Sequence, residues 1–139
     1  MSFPLSNQSC VPCSGNVSPI SDPEMTELKA QIPDWQILQD QGIPKLQRQY
    51  AVKNFRQALQ FTQRVGELAE QENHHPAILT EWGKVTVTWW THAIAGLHRN
   101  DFIMAAKTDI NFFSGRLVNQ SQLLEEEASC RLTIKESDC

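Results

Sequence analysis

No stretch of this chain approaches the roughly 20 consecutive apolar residues that a bilayer-spanning helix needs, so no membrane span is expected. The N-terminal run MSFPLSNQSCVPCSGNVSPI has no Lys or Arg and no apolar core segment, whereas a secretory signal peptide needs both. The protein is therefore expected in the cytoplasm. Basic charge is also short: 12 Lys and Arg stand against 16 Asp and Glu, for a formal net charge of −4 and no basic run. Nucleic acid is not expected as a direct partner, because phosphate backbones are held by clustered positive charge. The phosphate-cradling glycine loops GxGxxG and GxxxxGKS/T are missing, as is the GxSxG of a hydrolase nucleophile. Cysteine is missing from the periodic middle of the chain. All four, Cys10, Cys13, Cys130 and Cys139, lie near the ends. Cys10 and Cys13 have CxxC spacing, but a zinc site wants a second close pair, and Cys130 and Cys139 are nine apart. A redox pair wants its CxxC at a strand-to-helix turn, and here a Ser/Pro/Gly-rich run follows. Reduced thiols on a loose arm are the plainer reading.

What is present is an ordinary single-domain composition, 139 residues with a 40% hydrophobic share, enough for one core. Residues 1–21, rich in Ser, Pro, Asn and Gly, read as a flexible arm. Ser21-Asp22-Pro23-Glu24 is helix-start chemistry, and Met25, Leu28 and Ile32 follow at helical spacing until Pro33. Trp35–Gln39 and Pro44–Val52 flank Asp40-Gln41-Gly42 and predict a β-hairpin. Asn54 caps a long helix whose buried stripe is expected to be Phe55, Ala58, Leu59, Thr62, Val65, Leu68 and Ala69. Two more strands, 77–82 and 84–92, flank Gly83. A last helix runs from about His98 to Phe113, with Phe102, Ala105, Ala106, Asp109, Ile110 and Phe113 at helical intervals. The order predicts an α+β two-layer sandwich: a mainly antiparallel four-stranded sheet with helices packed on one face. Residues 22–115 are expected to form the domain, and 116–139 a polar tail or short helix.

Chemistry concentrates in Glu70-Gln71-Glu72-Asn73-His74-His75-Pro76 and in Thr91-His92. His74 and His75 sit where a helix gives way to a strand, and Pro76 pushes His75 towards extended geometry. Neighbours in extended chain point to opposite sides, so the two rings are expected to do different jobs. Imidazole titrates near neutrality, which suits acid/base work. Pairing of the strand after Pro76 with the strand ending in His92 would bring the third histidine close. Asp101 opens the last helix. A metal site is the rival reading, but adjacent histidines ligate one ion only in awkward geometry, and no carboxylate stands at a familiar ligand spacing. The residues read alone give an acid/base pocket and no substrate.

The spacing Glu70, His74-His75-Pro76, Trp82, His92, Asp101 resembles the signature of the pterin-4a-carbinolamine dehydratases. Ile32-Pro33, Trp35, Asn54-Phe55, Thr91-His92 and Gly96-Leu97 are similar to further landmarks of that family, over roughly residues 20–113. The resemblance implies a cytoplasmic hydro-lyase of tetrahydropterin recycling that removes water from a 4a-hydroxytetrahydropterin to give quinonoid dihydropterin. It implies no metal and no cofactor, a small pterin as substrate, and a homodimer or homotetramer. By the same resemblance His74, His75 and His92 are catalytic: His74 and His92 as general acids, His75 as pterin-binding residue and base. Glu70, Asn73, Pro76, Thr91, Ala93 and Ile94 join the histidines in the substrate site. Asp101 is expected to be structural, as an early acid on a helix N-terminus. Asn73 departs from an Asp found in some members, and His98 from a common Thr. The family also implies an alternative, a non-catalytic protein-binding module of the transcriptional dimerisation cofactor or Rubisco assembly factor type.

Overall fold

The structure, a computed structural model, describes residues 4–11 and 18–114. Cys13, the 116–139 segment, Cys130 and Cys139 lie outside the described residues. Helix α1 (Asp22–Lys29) starts at Ser21, whose hydroxyl accepts the Glu24 N–H. Strands β1 (Gln36–Asp40) and β2 (Ile43–Ala51) form the first hairpin. Its two-residue turn, Gln41-Gly42, holds both residues at positive φ, 53° and 80°, as a tight turn matched to strand twist requires. Asn54 caps α2 (Phe55–Glu72), accepting the Gln57 N–H at 2.9 Å. Strands β3 (Ala77–Glu81) and β4 (Lys84–Trp89) turn at Trp82-Gly83, and α3 spans 99–114.

The four strands make one antiparallel sheet in the order β1-β2-β4-β3. The register pairs Leu46 with Trp89, Arg48 with Val87 and Tyr50 with Val85. Paired residues share a face, and this face meets Phe61, Val65, Phe102 and Met104 of the helices, all fully buried. The result is the α+β sandwich expected from the order of elements. Among the described residues no helix is long and apolar enough to cross a membrane.

Three details differ from the sequence expectation. In α2 the buried positions are Ala58, Phe61, Val65 and Ala69, while Phe55 and Leu59 are 43% and 51% exposed. Phe55, Leu59 and Thr62 share the flank beside edge strand β3, where Thr62 and Thr80 hydrogen-bond at 2.7 Å. The sheet ends there, so the flank stays open. In α3 Thr108 and Phe112 are buried, whereas Ile110 and Phe113 are half exposed. The third difference concerns residues 4–11, expected to belong to a flexible arm. Leu5 lies in the core at 1% exposure, Lys107 Nζ donates to the Ser6 carbonyl, and Arg99 Nε donates to Gln8. The Asn100 side chain meets the Val11 backbone twice, donating at 2.7 Å and accepting at 3.0 Å, as a neighbouring strand would. This docking lies along α3 at Arg99, Asn100 and Lys107, and every residue from Asn100 to Ala105 is buried.

Asp109 of α3 ties the sheet to α3 and to the segment before β1. It accepts from Trp35 Nε1 at 3.0 Å, Arg48 at 2.7 Å and the Tyr50 hydroxyl at 2.5 Å. Burial, with the Asp109 charge beside it, pushes the Tyr50 hydroxyl far above its ordinary titration range. A polar cleft of about 260 Å³ lined by Asp34, Gln36, Gln47, Arg48 and Gln49 contains none of the histidines.

Candidate active site

The end of α2 places the histidine pair. Asn73 sits in left-handed geometry at φ 50°, a conformation asparagine tolerates better than most residues. The His74 N–H then reaches back to the Ala69 carbonyl at 3.1 Å, and the Asn73 N–H to that of Glu70 at 3.4 Å. This is a Schellman termination, with His74 as the second residue past the helix. Its backbone is pinned, and its ring turns inward to 7% exposure. His75, the next residue along, faces outward with its side chain 54% exposed. Its Nε2 lies 3.0 Å from Glu70 Oε2, so Glu70 partners His75 and not His74.

The start of α3 supplies the partner of His74. The His98 N–H donates to Asp101 Oδ2 at 2.9 Å, while His98 Nδ1 accepts the Asn100 N–H at 3.1 Å. This reciprocal arrangement is a variant of the capping box, with imidazole in the place of a hydroxyl and the Asn100 N–H, in the place of the Asp101 N–H, as its donor. With Nδ1 accepting, the neutral ring carries its hydrogen on Nε2. Burial pushes the His98 pKa below the usual imidazole value. Asp101, fully buried, also accepts from the Thr91 hydroxyl at 2.7 Å and contacts His74 Nε2 at 2.7 Å. Asp101 therefore fixes the His74 tautomer: Nε2 bears the hydrogen, and Nδ1 remains for other work. The His74 ring stacks on Trp89, 5.7 Å between centroids and 8° between planes.

The end of β4 brings the third histidine. Thr91 closes a small loop by exchanging backbone hydrogen bonds with Gly96, with Ala95 at φ 47°. Inside that loop His92–Ile94 form a single 3₁₀ turn. The His92 ring is exposed and packs on Trp90, centroids 4.4 Å apart. Trp89 and Trp90 point to opposite faces of the sheet, so each tryptophan meets one histidine.

β3 pairs with β4, Ala77 opposite Thr88, which sets the His74-His75-Pro76 segment beside the end of β4. Thr91 and His74 meet on Asp101. Among the described residues no hydrogen bond joins His92 to either of the other rings, and no group of three His, Cys, Asp or Glu side chains is arranged to hold a metal ion. Pro76 and Ile94 are half-buried, Ala93 is exposed, and Asn73 acts through its backbone. Sequence reasoning underrated Asp101, which touches His74 directly, and it missed Trp89 and Trp90 as supports of the rings. The alternation of strand faces up to His92 was the available signal for the second pair.

The sequence model described as "Pterin 4 alpha carbinolamine dehydratase" matches residues 18–110. A Microcystis aeruginosa protein named "Putative pterin-4-alpha-carbinolamine dehydratase" is 59% identical over 105 residues, covering 76% of this chain and 90% of its own. A Gloeobacter violaceus protein of the same printed designation, numbered 1, is 57% identical over the same shares. Among solved structures, a Brucella melitensis protein titled as a transcriptional coactivator/pterin dehydratase aligns with a TM-score of 0.61 and 28% identity. That alignment covers 68% of this chain and 98% of the other. With the family model matched across both histidine segments and all four strands, the chain belongs to the pterin 4 alpha carbinolamine dehydratase family.

Proposed function

We propose that this chain catalyses dehydration of a 4a-hydroxytetrahydropterin by histidine acid/base chemistry, with residues 22–115 as the dehydratase unit. The observation that carries the reading is the buried His74–Asp101 pair beside the exposed His75–Glu70 pair. One ring is fixed in tautomer and direction, and one is open to a ligand. The elimination is redox neutral. The bond from C4a to its hydroxyl breaks, the N5 proton is lost, a C4a–N5 double bond forms, and water leaves. An acid protonates the departing hydroxyl, and a base receives the N5 proton. His74 and His92 serve as acids, His74 donating from Nδ1 of its protonated ring while Nε2–H stays on Asp101, and His75 binds the ring and takes the proton. Glu70 orients His75, and Asp101 orients His74. Asn73, Pro76, Thr91, Ala93 and Ile94 line the substrate. Each placed proton transfer is typically worth about 10²–10⁴ in rate.

The chain is further proposed to act as a homodimer or homotetramer. Phe55 and Leu59 on α2, with Leu79 and Trp82 on the β3 edge, are large apolar side chains left exposed. These exposed side chains also support the second reading, a protein-binding module, since the Brucella relative's title names a coactivator as well as a dehydratase. The test is stopped-flow decay of a 4a-hydroxytetrahydropterin with purified protein, with and without chelator. Acceleration that survives chelation supports the dehydratase. A rate equal to the spontaneous one refutes it and leaves the binding module.

A further inference from the structure

Lys45 and Trp90 lie on the sheet face away from the helices, side by side at the end of the β2–β4 ladder. The register explains the contact: Leu46 pairs with Trp89, so the next position on each strand brings Lys45 against Trp90. Lys45 Nζ stands 3.9 Å from the centre of the Trp90 ring. Asp40, across the first hairpin, anchors that ammonium at 2.8 Å. The Lys45 side chain is only 12% exposed, so this is a packed contact and not a loose surface pair. An ammonium over an indole face is attracted by the ring quadrupole. The far end of the row is His92, packed on the same indole at 4.4 Å and 39°. The His92 ring is exposed on a three-residue turn, and among the described residues Trp90 is its one ring contact.

We infer that Trp90, braced by Lys45 and Asp40, is a positioning residue that sets the direction of the His92 ring for the dehydration. The inference rests on the proposed role of His92. A ring on a short turn has rotational freedom about two bonds, and misplacing a catalytic group by about 1 Å can cost on the order of 10²-fold in rate. An indole wall removes much of that freedom.

The test uses the full chain and five proteins: wild type, Trp90→Phe, Trp90→Ser, Lys45→Met and His92→Ala. Steady-state kinetics is read beside the NMR resonances of the His92 ring protons, which the Trp90 ring current displaces in the wild type. Trp90→Ser is expected to lower kcat about 10–100-fold, to leave KM within about twofold, and to return the His92 resonances to ordinary positions. Trp90→Phe, which keeps an aromatic wall, is expected to restore most of kcat and part of the displacement. Lys45→Met should fall between them. Unfolding midpoints check that each variant is folded. A slow His92→Ala beside a fast Trp90→Ser overturns the positioning role alone. A fast His92→Ala overturns the reading of His92 itself, and the positioning role falls with it.

Discussion

Replacing Asp101 by asparagine tests the His74 assignment through an asymmetry in its partners. Asp101 Oδ2 receives two hydrogen bonds, from the Thr91 hydroxyl and from the His98 backbone N–H. Oδ1 meets His74 Nε2. A backbone N–H can only donate, so in Asp101→Asn the oxygen of the introduced amide must take the Oδ2 place. The amide NH₂ then points at His74 Nε2 and donates to it. The neutral His74 ring must move its hydrogen to Nδ1, the atom that Asp101 leaves available in the wild type. The substitution is nearly isosteric and keeps every contact, so stability should fall by only about 1–2 kcal/mol, from loss of charge assistance at a buried bond. The effect on rate should be larger. Removing a general acid or base costs about 10²–10⁴, and an amide NH₂ facing Nε2 cannot support the doubly protonated ring from which His74 would donate as an acid, so the loss can reach the upper end. We expect kcat of Asp101→Asn to drop about 10²–10³-fold with KM little changed. Stopped-flow kinetics gives the rate, and long-range ¹H–¹⁵N correlation of the His74 ring gives the tautomer. Thr91→Val is the comparison: it removes one donor and leaves the carboxylate on His74, so kcat should fall less than about 10-fold, while KM, read separately because Thr91 is proposed to line the substrate, is expected to rise. Wild-type kcat in Asp101→Asn with the hydrogen moved to Nδ1 would refute the role of His74. An unmoved hydrogen would refute the account of Asp101.

His75 is solvent-facing, so His75→Ala should keep the circular dichroism spectrum and unfolding midpoint while turnover falls about 10²–10⁴-fold; unfolding in step with lost activity would make the residue structural. His98 gives a pH dependence of stability. Its folded pKa is lowered, so the unfolded chain binds the proton more readily and stability is lost as pH falls from about 6.5 towards the folded value. Asp101 and Glu24 favour the proton there, while His74 and Arg99 oppose it. His98→Ser keeps a capping acceptor without the titration, and its unfolding midpoint should fall less between pH 7 and 5 (roughly the imidazole range) than that of the wild type; parallel curves would sink this assignment. Asn73→Ala places a Cβ-bearing residue without a polar side chain in left-handed geometry and should cost about 1 kcal/mol in urea unfolding, whereas Asn73→Gly should not. Equal stability of Ala and Asn would show that the geometry is not strained.

The elements whose ends carry strong local chemistry were legible in the sequence. Ser21 and Asn54 as caps, and Gln41-Gly42 and Gly83 as turns, each act through the residue's own backbone or hydroxyl and amide chemistry, which neighbours hardly alter. The buried stripes were less legible, because periodicity gives a face but not its width. A sheet that stops at β3 leaves Phe55 and Leu59 outside, and an N-terminal segment folded back over α3 widens the buried arc to Asn100. The Asp109 network was invisible for a related reason. Trp35, Arg48, Tyr50 and Asp109 lie on three separate segments, and nothing in their spacing announces that one carboxylate will collect all three donors. The same holds for Asp101. Its position early in a helix was enough to predict a structural acid at the helix N-terminus, but one of its oxygens meets a ring 27 positions away.

The site is assembled from the places where regular elements stop. His74 is the residue after a left-handed helix terminator, Asp101 is in the first turn of α3, and His92 sits in one 3₁₀ turn closed by a Thr91–Gly96 bridge. A helix interior commits its backbone to the i to i−4 ladder, and its side chains share an imposed direction. At a terminus the backbone groups are uncommitted, so a cap can choose where the next side chain points. Here the terminators also couple to one another. Asp101 satisfies the His98 N–H at the start of α3 and, with its other oxygen, holds the ring delivered by the end of α2. The capping bond and the orienting bond therefore share one carboxylate. Any change that frays the α3 N-terminus must also loosen His74, which is why a substitution at His98 or Asn100, neither of them among the proposed catalytic residues, is expected to appear in the rate as well as in the stability.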